Sequence, residues 1–220
     1  MGKSASKKKS AAAIAAGDDE SARGRLLHAA THLFCRYGIN ATGIDAIINE
    51  AGTAKTTLYK LFGSKTNLVN AVLESEGKAW REWFIGAMED GGGDAQAKLT
   101  RIFPALKRWF GEERFYGCPF INAVAEHDKD ARQFRNIALR HKKVVLSHIE
   151  KLAGEMGAAE PQVLAHQLAL LIDGAIVAAM VSRDPGVADT AGLAAGSLFG
   201  PSRVKKPKRT SGAAAQLVAV

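Results

Sequence analysis

The sequence predicts an all-α fold, with a small N-terminal three-helix unit of helix-turn-helix type and a larger C-terminal helical body. Three observations carry this. Apolar residues recur at three-and-four spacing almost everywhere, with no convincing period-two run. The periodic runs stop at glycines, which take up the left-handed backbone that ends helices. Only 6 of the 220 residues are proline, which leaves room for long helices.

The first helix is expected over about Ala22 to Tyr37, where Leu26, Leu27, Ala30, Leu33 and Phe34 share one face and Gly38 ends the run. A second short helix follows "NAT", with Thr42 as its N-cap and Asp45 three residues on, where an acid can reach back. Ile44, Ile47 and Ile48 form its apolar side, and Gly52 ends it. Thr53 or Ala54 opens the third helix, which stops at Gly63. Ser64 caps a long fourth helix reaching about Met88, and "DGGGD" (Asp90 to Asp94) breaks the chain. Further helices are expected over roughly Asp94 to Gly111, Pro119 to His127, Asp130 to Gly157, Pro161 to Arg183 and Val187 to Phe199, with "EERFYGC" and "RDPG" as linkers. The predicted division is 1–21, a disordered basic arm; 22–66, the helix-turn-helix unit; 67–199, the helical body; and 200–220, a basic disordered tail. No internal repeat is present.

Charge is uneven along the chain. The net charge is +8. Ten Lys and Arg face five Asp and Glu from Met1 to Thr66, and five face none from Gly200 to Val220. The stretch between holds fifteen against seventeen and is slightly acidic. Basic ends on a near-neutral body suggest a polyanionic partner. The first twenty residues have lysines before small apolar residues, but run straight into "DDE" and do not read as an export signal. No run reaches the ~18 apolar residues of a membrane span. The longest apolar-rich segment, Leu168 to Val181, contains Asp173 and reads as a buried or interface helix. Two cysteines give no disulfide framework, and a cytoplasmic location is expected.

The third helix carries the clearest functional signal. On a 3.6-residue turn, Ala54, Leu58, Leu61 and Phe62 share one side, and Lys55, Thr56, Tyr59 and Lys60 share the other. The first set is expected to bury. The second is a polar row without acid, offering the hydroxyl and ammonium donors that meet phosphates and base edges in a major groove. The glycine-centred turn Ala51 to Thr53 is the connection of a helix-turn-helix. Lys65 sits at the start of the fourth helix, where the dipole already favours an anion.

The segment "LLHAATHLFCRYGINATGIDAIINEAGTAKTTLYKLFGSKTNLVNAVL" closely resembles the DNA-binding domain of the tetracycline-repressor (TetR) family of bacterial transcription regulators. The likeness covers about Arg23 to Leu73, through "LF..YG", "AT....I", "AG....TLY..F" and "SK..L". It implies a ligand-responsive homodimer, of repressor type by family habit, on double-stranded operator DNA with two related half-sites. Its DNA contacts fall on Thr42, Thr53, Lys55, Thr56, Thr57, Tyr59, Lys60 and Lys65. Lys55 and Thr56 are the expected base readers; Thr42, Thr57, Tyr59 and Lys65 are expected on phosphates. Many members have Ser at Ala54, so the cap of the third helix is expected to shift to Thr53. Many also have His near Lys60 or Leu61.

In the body, "YGCPFINAVAEH" resembles a ligand-domain stretch in one set of these regulators. Trp80, Phe84, Phe103, Trp109, Phe120 and Asp173 are the candidate lining of a cavity for a small apolar or aromatic effector. Most of these side chains would also serve as core, and Asp173 among apolar neighbours needs a partner on a helix, a second subunit or a ligand. Leu168, Ile172, Ala175 and Ala179, with Leu193 and Leu198, form candidate dimer stripes. His28 and His32 lie four apart, a spacing that holds zinc, yet no acid or cysteine matches it, so neither metal nor cofactor is expected. Cys118 before a helix start is where a thiol acidifies; an inert small side chain is the plainer reading. No phosphate loop, nucleophile elbow or zinc signature marks an enzyme. The competing reading is a nonspecific, architectural DNA-binding protein.

Overall fold

A computed structural model describes residues 21–127 and 132–199. The expected basic arm and tail therefore lie outside the described residues, apart from Ser21. Ten helices and no strand are found among the described residues.

Helix α1 is Ala22–Tyr37, and Ser21 starts it: its Oγ accepts from the Gly24 N–H at 3.1 Å. Helix α2 is Ile44–Ala51. Its N-cap is Gly43 with no side-chain bond, which corrects the expectation of Thr42. Thr42 turns inward instead, with 3% exposure, and its hydroxyl donates to Gly38 O at 2.7 Å. The carbonyls at the end of α1 need a donor, and this hydroxyl meets that need before it could cap α2. Gly52, left-handed at φ 58°, then turns the chain, and the Thr53 N–H closes on Ile48 O at 3.0 Å.

Helix α3 is Lys55–Phe62, and α4 is Lys65–Glu89 with Ser64 as its cap, as the sequence predicts. The expected helix over 94–111 is two pieces: α5, Ala95–Thr100, and α6, Ile102–Phe110. Pro104 explains the break, since its ring has no N–H for Thr100 O and collides with that carbonyl. Arg101 sits at the joint and donates to Met88 O at 2.8 Å, tying the break to the end of α4. The remaining helices are α7, Pro119–Glu126; α8, Arg132–Glu155; α9, Pro161–Ser182; and α10, Val187–Gly196.

Helices α1, α2 and α3 pack on one another, and α4 runs from them into the body, touching α1 and α3 as well as α5, α6 and α8. In the body α9 lies between α8 and α10, and α6 packs beneath α9 and α10. One contiguous core joins Leu26 and Ile47 of the first unit to Phe84, Leu106 and Leu152 of the body. Glu126 makes a second link. Its carboxylate accepts from the Asn40 N–H at 2.9 Å, and Asn40 Nδ2 donates to Glu126 O at 2.6 Å.

Helix α9 is, by length and composition, apolar enough to cross a membrane, which the run of apolar residues alone did not suggest. Here its Leu164, Leu168, Ile172, Ala175 and Ala179 are buried in the chain's own core. That corrects the dimer stripe expected for Leu168, Ile172, Ala175 and Ala179. The outward face of α9 is Leu170, Gly174, Val177 and Val181; on α10 Leu193 is exposed, and beyond it Leu198 is only half-exposed. Both faces of α9 are apolar, so periodicity could not say which turned in.

Candidate functional site

The outward side of α3 is built by a narrow inner seam. Leu58 has no exposure and Phe62 little, and Arg23 stacks its guanidinium over the Phe62 ring at 5.5 Å. Leu61 is 40% exposed and Ala54 is exposed, so the expected four-residue seam is really two. With 100° per residue, Leu61 points about 80° away from the direction midway between Leu58 and Phe62. Lys55, Thr56, Tyr59 and Lys60 all face solvent, as expected; Thr57 and Lys65 are half-buried. The N-cap of α3 is Ala54, with no side-chain bond. Thr53 does not take over the cap; its Oγ1 is buried and has no hydrogen-bond partner. The first N–H groups of α3 thus meet no side-chain acceptor, where the helix dipole favours an anion.

The surface around α3 is not acid-free. Lys55 Nζ donates to Asp45 Oδ1 of α2 at 3.0 Å, and this hydrogen bond raises the Lys55 pKa above its ordinary value. Lys55 is thus already paired with a carboxylate, which any other anion has to displace. Asp45 sits ten positions away across a turn, a pairing no local spacing rule announces. Asp45→Asn is expected to tighten duplex binding severalfold at low salt, with the gain fading above 0.3 M salt, measured by fluorescence anisotropy.

The second feature is a cavity of about 710 Å³ within the body, lined from α4, α6, α7, α8, α9 and the 111–118 linker, with Cys35 of α1 the one lining residue from the first unit among the described residues. Of the expected lining, Trp80, Trp109, Phe120 and Asp173 border it. Phe84 and Phe103 do not; they are core, 0% and 3% exposed. Trp80 lies over Phe84 with ring centres 4.6 Å apart, and Trp109 meets Trp80 edge-on at 5.4 Å. Asp173 has the partner it needed: Lys142 Nζ donates to both its oxygens, at 2.6 and 2.5 Å.

Sequence reasoning missed Cys35, Glu76 and His141, which also border the cavity. His141 is 8% exposed and stacks on Phe120 at 4.0 Å. Arg81 Nη1, which can only donate, lies 3.0 Å from His141 Nδ1; Nδ1 therefore accepts and the proton sits on Nε2. Burial, then the Arg81 charge, lowers the His141 pKa to about 3. The unfolded chain takes up this proton near pH 6.5 and the folded chain does not, so stability falls as pH drops from about 6.5 toward 3. Between pH 7 and 5 the wild type is expected to lose about 1–2 kcal/mol more than His141→Gln in urea unfolding.

Burial raises both thiols, Cys35 to about 12, so Cys118 at its helix start is held protonated, not acidified. His32 Nδ1 lies 2.6 Å from Glu50 Oε1, an acid that sequence spacing did not bring to it. No group of three or more His, Cys, Asp or Glu suited to a metal occurs among the described residues.

Residues 26–72 match the family model of the bacterial regulatory proteins of the tetR family. Over 171 residues the chain is 23% identical to an HTH-type transcriptional regulator encoded in the lacX 3′ region of Lactococcus lactis subsp. lactis, covering 76% of this chain and 87% of that one. A 52-residue segment, 24% of each chain, is 46% identical to the HTH-type transcriptional activator FasR of Mycolicibacterium smegmatis. In structure the chain is similar to a TetR-family transcriptional regulator from Streptomyces coelicolor, with a TM-score of 0.75 and 29% identity over 81% of this chain and 94% of that one.

Proposed function

We propose that this chain, whose residues 26–72 match the bacterial regulatory proteins of the tetR family, is a ligand-responsive repressor that binds a two-half-site operator as a homodimer. The family is one of DNA-binding transcriptional regulators, not of enzymes. The observation that carries the finer reading is the outward row Lys55, Thr56, Tyr59 and Lys60, held on a buried seam of Leu58 and Phe62.

In this reading Lys55 and Thr56 read base edges. Tyr59, Lys60, Lys65 and the half-buried Thr57 hold phosphates, together with the uncapped N–H groups of α3. Thr42 and Thr53 contribute architecture, because their hydroxyls are buried. Tyr59→Ala and Lys65→Ala are expected to weaken all duplexes alike, whereas Lys55→Ala relaxes preference among sequences; equal loss on every sequence for all three removes this division.

The exposed Leu170, Val177 and Val181 of α9, with the exposed Leu193 of α10, support pairing with a second copy, since apolar surface of that kind needs a cover. The cavity supports an effector, and Asn40 with Glu126 gives its walls a route to the α1–α2 turn. Selection from random duplexes tests the reading. Enrichment of an inverted repeat supports it; retention of all sequences with equal salt-sensitive affinity supports the architectural alternative.

A further inference from the structure

Four carboxylates border the cavity, Glu76, Glu112, Glu150 and Asp173, and Glu76 is the one that stands where the lining meets α1. Glu76 of α4 borders the cavity at its α1 end, beside Cys35. Its hydrogen bond is a long one, from Thr31 Oγ1 at 3.4 Å. No ion pair reaches it among the described residues, whereas Asp173 is neutralised by Lys142. Of the other titratable groups that border this space, Lys142 is taken by Asp173, Glu112 and Glu150 are themselves acids, and His166 is turned to Gln162 O. Cys35 of α1 and Cys118 at the N-cap of α7 are protonated thiols, and His141 of α8 is neutral. The cations Arg114 and Lys143 stand at the exposed rim. Burial holds the Glu76 carboxyl above the ordinary carboxylate range.

A half-buried carboxylate without an ion pair is partly desolvated at a cost, and a cation that reaches it recovers part of that cost. The adjoining walls suit the rest of such a ligand, because Trp80, Trp109, Tyr116 and Phe120 offer ring faces that attract positive charge and cover apolar surface. We propose that the effector is a lipophilic cation, an ammonium on an aromatic or apolar frame, with its charge against Glu76 and its frame among Trp80, Trp109 and Phe120. This deepens the effector part of the regulator reading and rests on it. Thr31 belongs to α1, so a ligand at Glu76 acts one hydrogen bond from the DNA-binding domain.

The test is calorimetry on the full chain without DNA, so it succeeds or fails separately from operator binding. The probes are 4-phenylbutyltrimethylammonium and uncharged 4-phenylbutanol. The cation is expected to bind about tenfold more tightly than the alcohol, and Glu76→Gln to remove that advantage while leaving alcohol binding unchanged. Glu76→Asp restores part of it. Lowering the pH from 8 to 5 is expected to weaken cation binding in the wild type and not in Glu76→Gln, because protonation removes the counter-charge. Retained alcohol binding shows that the variant is folded; if it does not fold, the wild-type pH profile and the cation-to-alcohol ratio decide. Equal affinity for the two probes, no binding of either, or a cation affinity indifferent to both pH and Glu76→Gln would overturn the proposal.

Discussion

Leu58→Ala is expected to cost about 2–5 kcal/mol and to abolish duplex binding, although Leu58 touches no DNA in this account. Leu58 is fully buried and is one of only two buried side chains that seat α3. An eight-residue helix has little stability of its own, so it depends on that packing. A loss of this size is a large part of the 5–15 kcal/mol typical of whole domains. Leu61→Ala, three residues on, is the control. Leu61 is 40% exposed, and its loss is expected to change stability by less than about 0.5 kcal/mol. Urea unfolding and anisotropy on the same samples separate the two outcomes. Equal effects would mean that α3 is seated differently.

The second large effect is expected at the outer face of α9. Val177→Glu combined with Leu193→Glu places charge on the exposed apolar row while leaving the inner face of α9 untouched. Sedimentation is expected to show a monomer in place of a dimer. Operator affinity is expected to fall by about 10²-fold or more, because two linked half-site contacts become one. Leu168→Ala makes the informative contrast. Leu168 is fully buried in the chain's own core, so its loss is expected to lower stability without changing the oligomeric state at low denaturant.

Much of the fold was legible in sequence because local signals act locally. Gly38, Gly52 and Gly63 end their helices where expected, and Ser64 caps α4. The phase of Leu58 and Phe62 against Thr56 and Lys60 also follows from the helical period alone; Tyr59 lies to one side, and Lys55, on the side of Leu58 by phase, is exposed as the first residue of the helix. The failures share a cause: each depends on what a side chain meets across space. The position of Thr42 predicts a cap, yet the α1 carbonyls claim its hydroxyl. Asp45 meets Lys55 only after the turn folds back. Pro104 was visible in the sequence and does break its helix; the apolar pattern around it hid the consequence. On α9 the apolar residues run all the way round, so burial chose the inner face by contact with α6, α8 and α10. The cavity followed the same pattern. Large aromatic side chains pointed to its neighbourhood, but which of them line it and which fill the core was set by packing, as Phe84 and Trp80 illustrate.

The most direct test of the central claim is a nuclease footprint of the purified full-length chain on the intergenic DNA upstream of its own gene. The expected result is protection of an inverted repeat at concentrations that leave flanking DNA open, with protection weakened by Tyr59→Ala and lost with Leu58→Ala. Uniform protection along the fragment, or a repeat whose protection is unchanged by Tyr59→Ala, would contradict the placement of DNA recognition on α3.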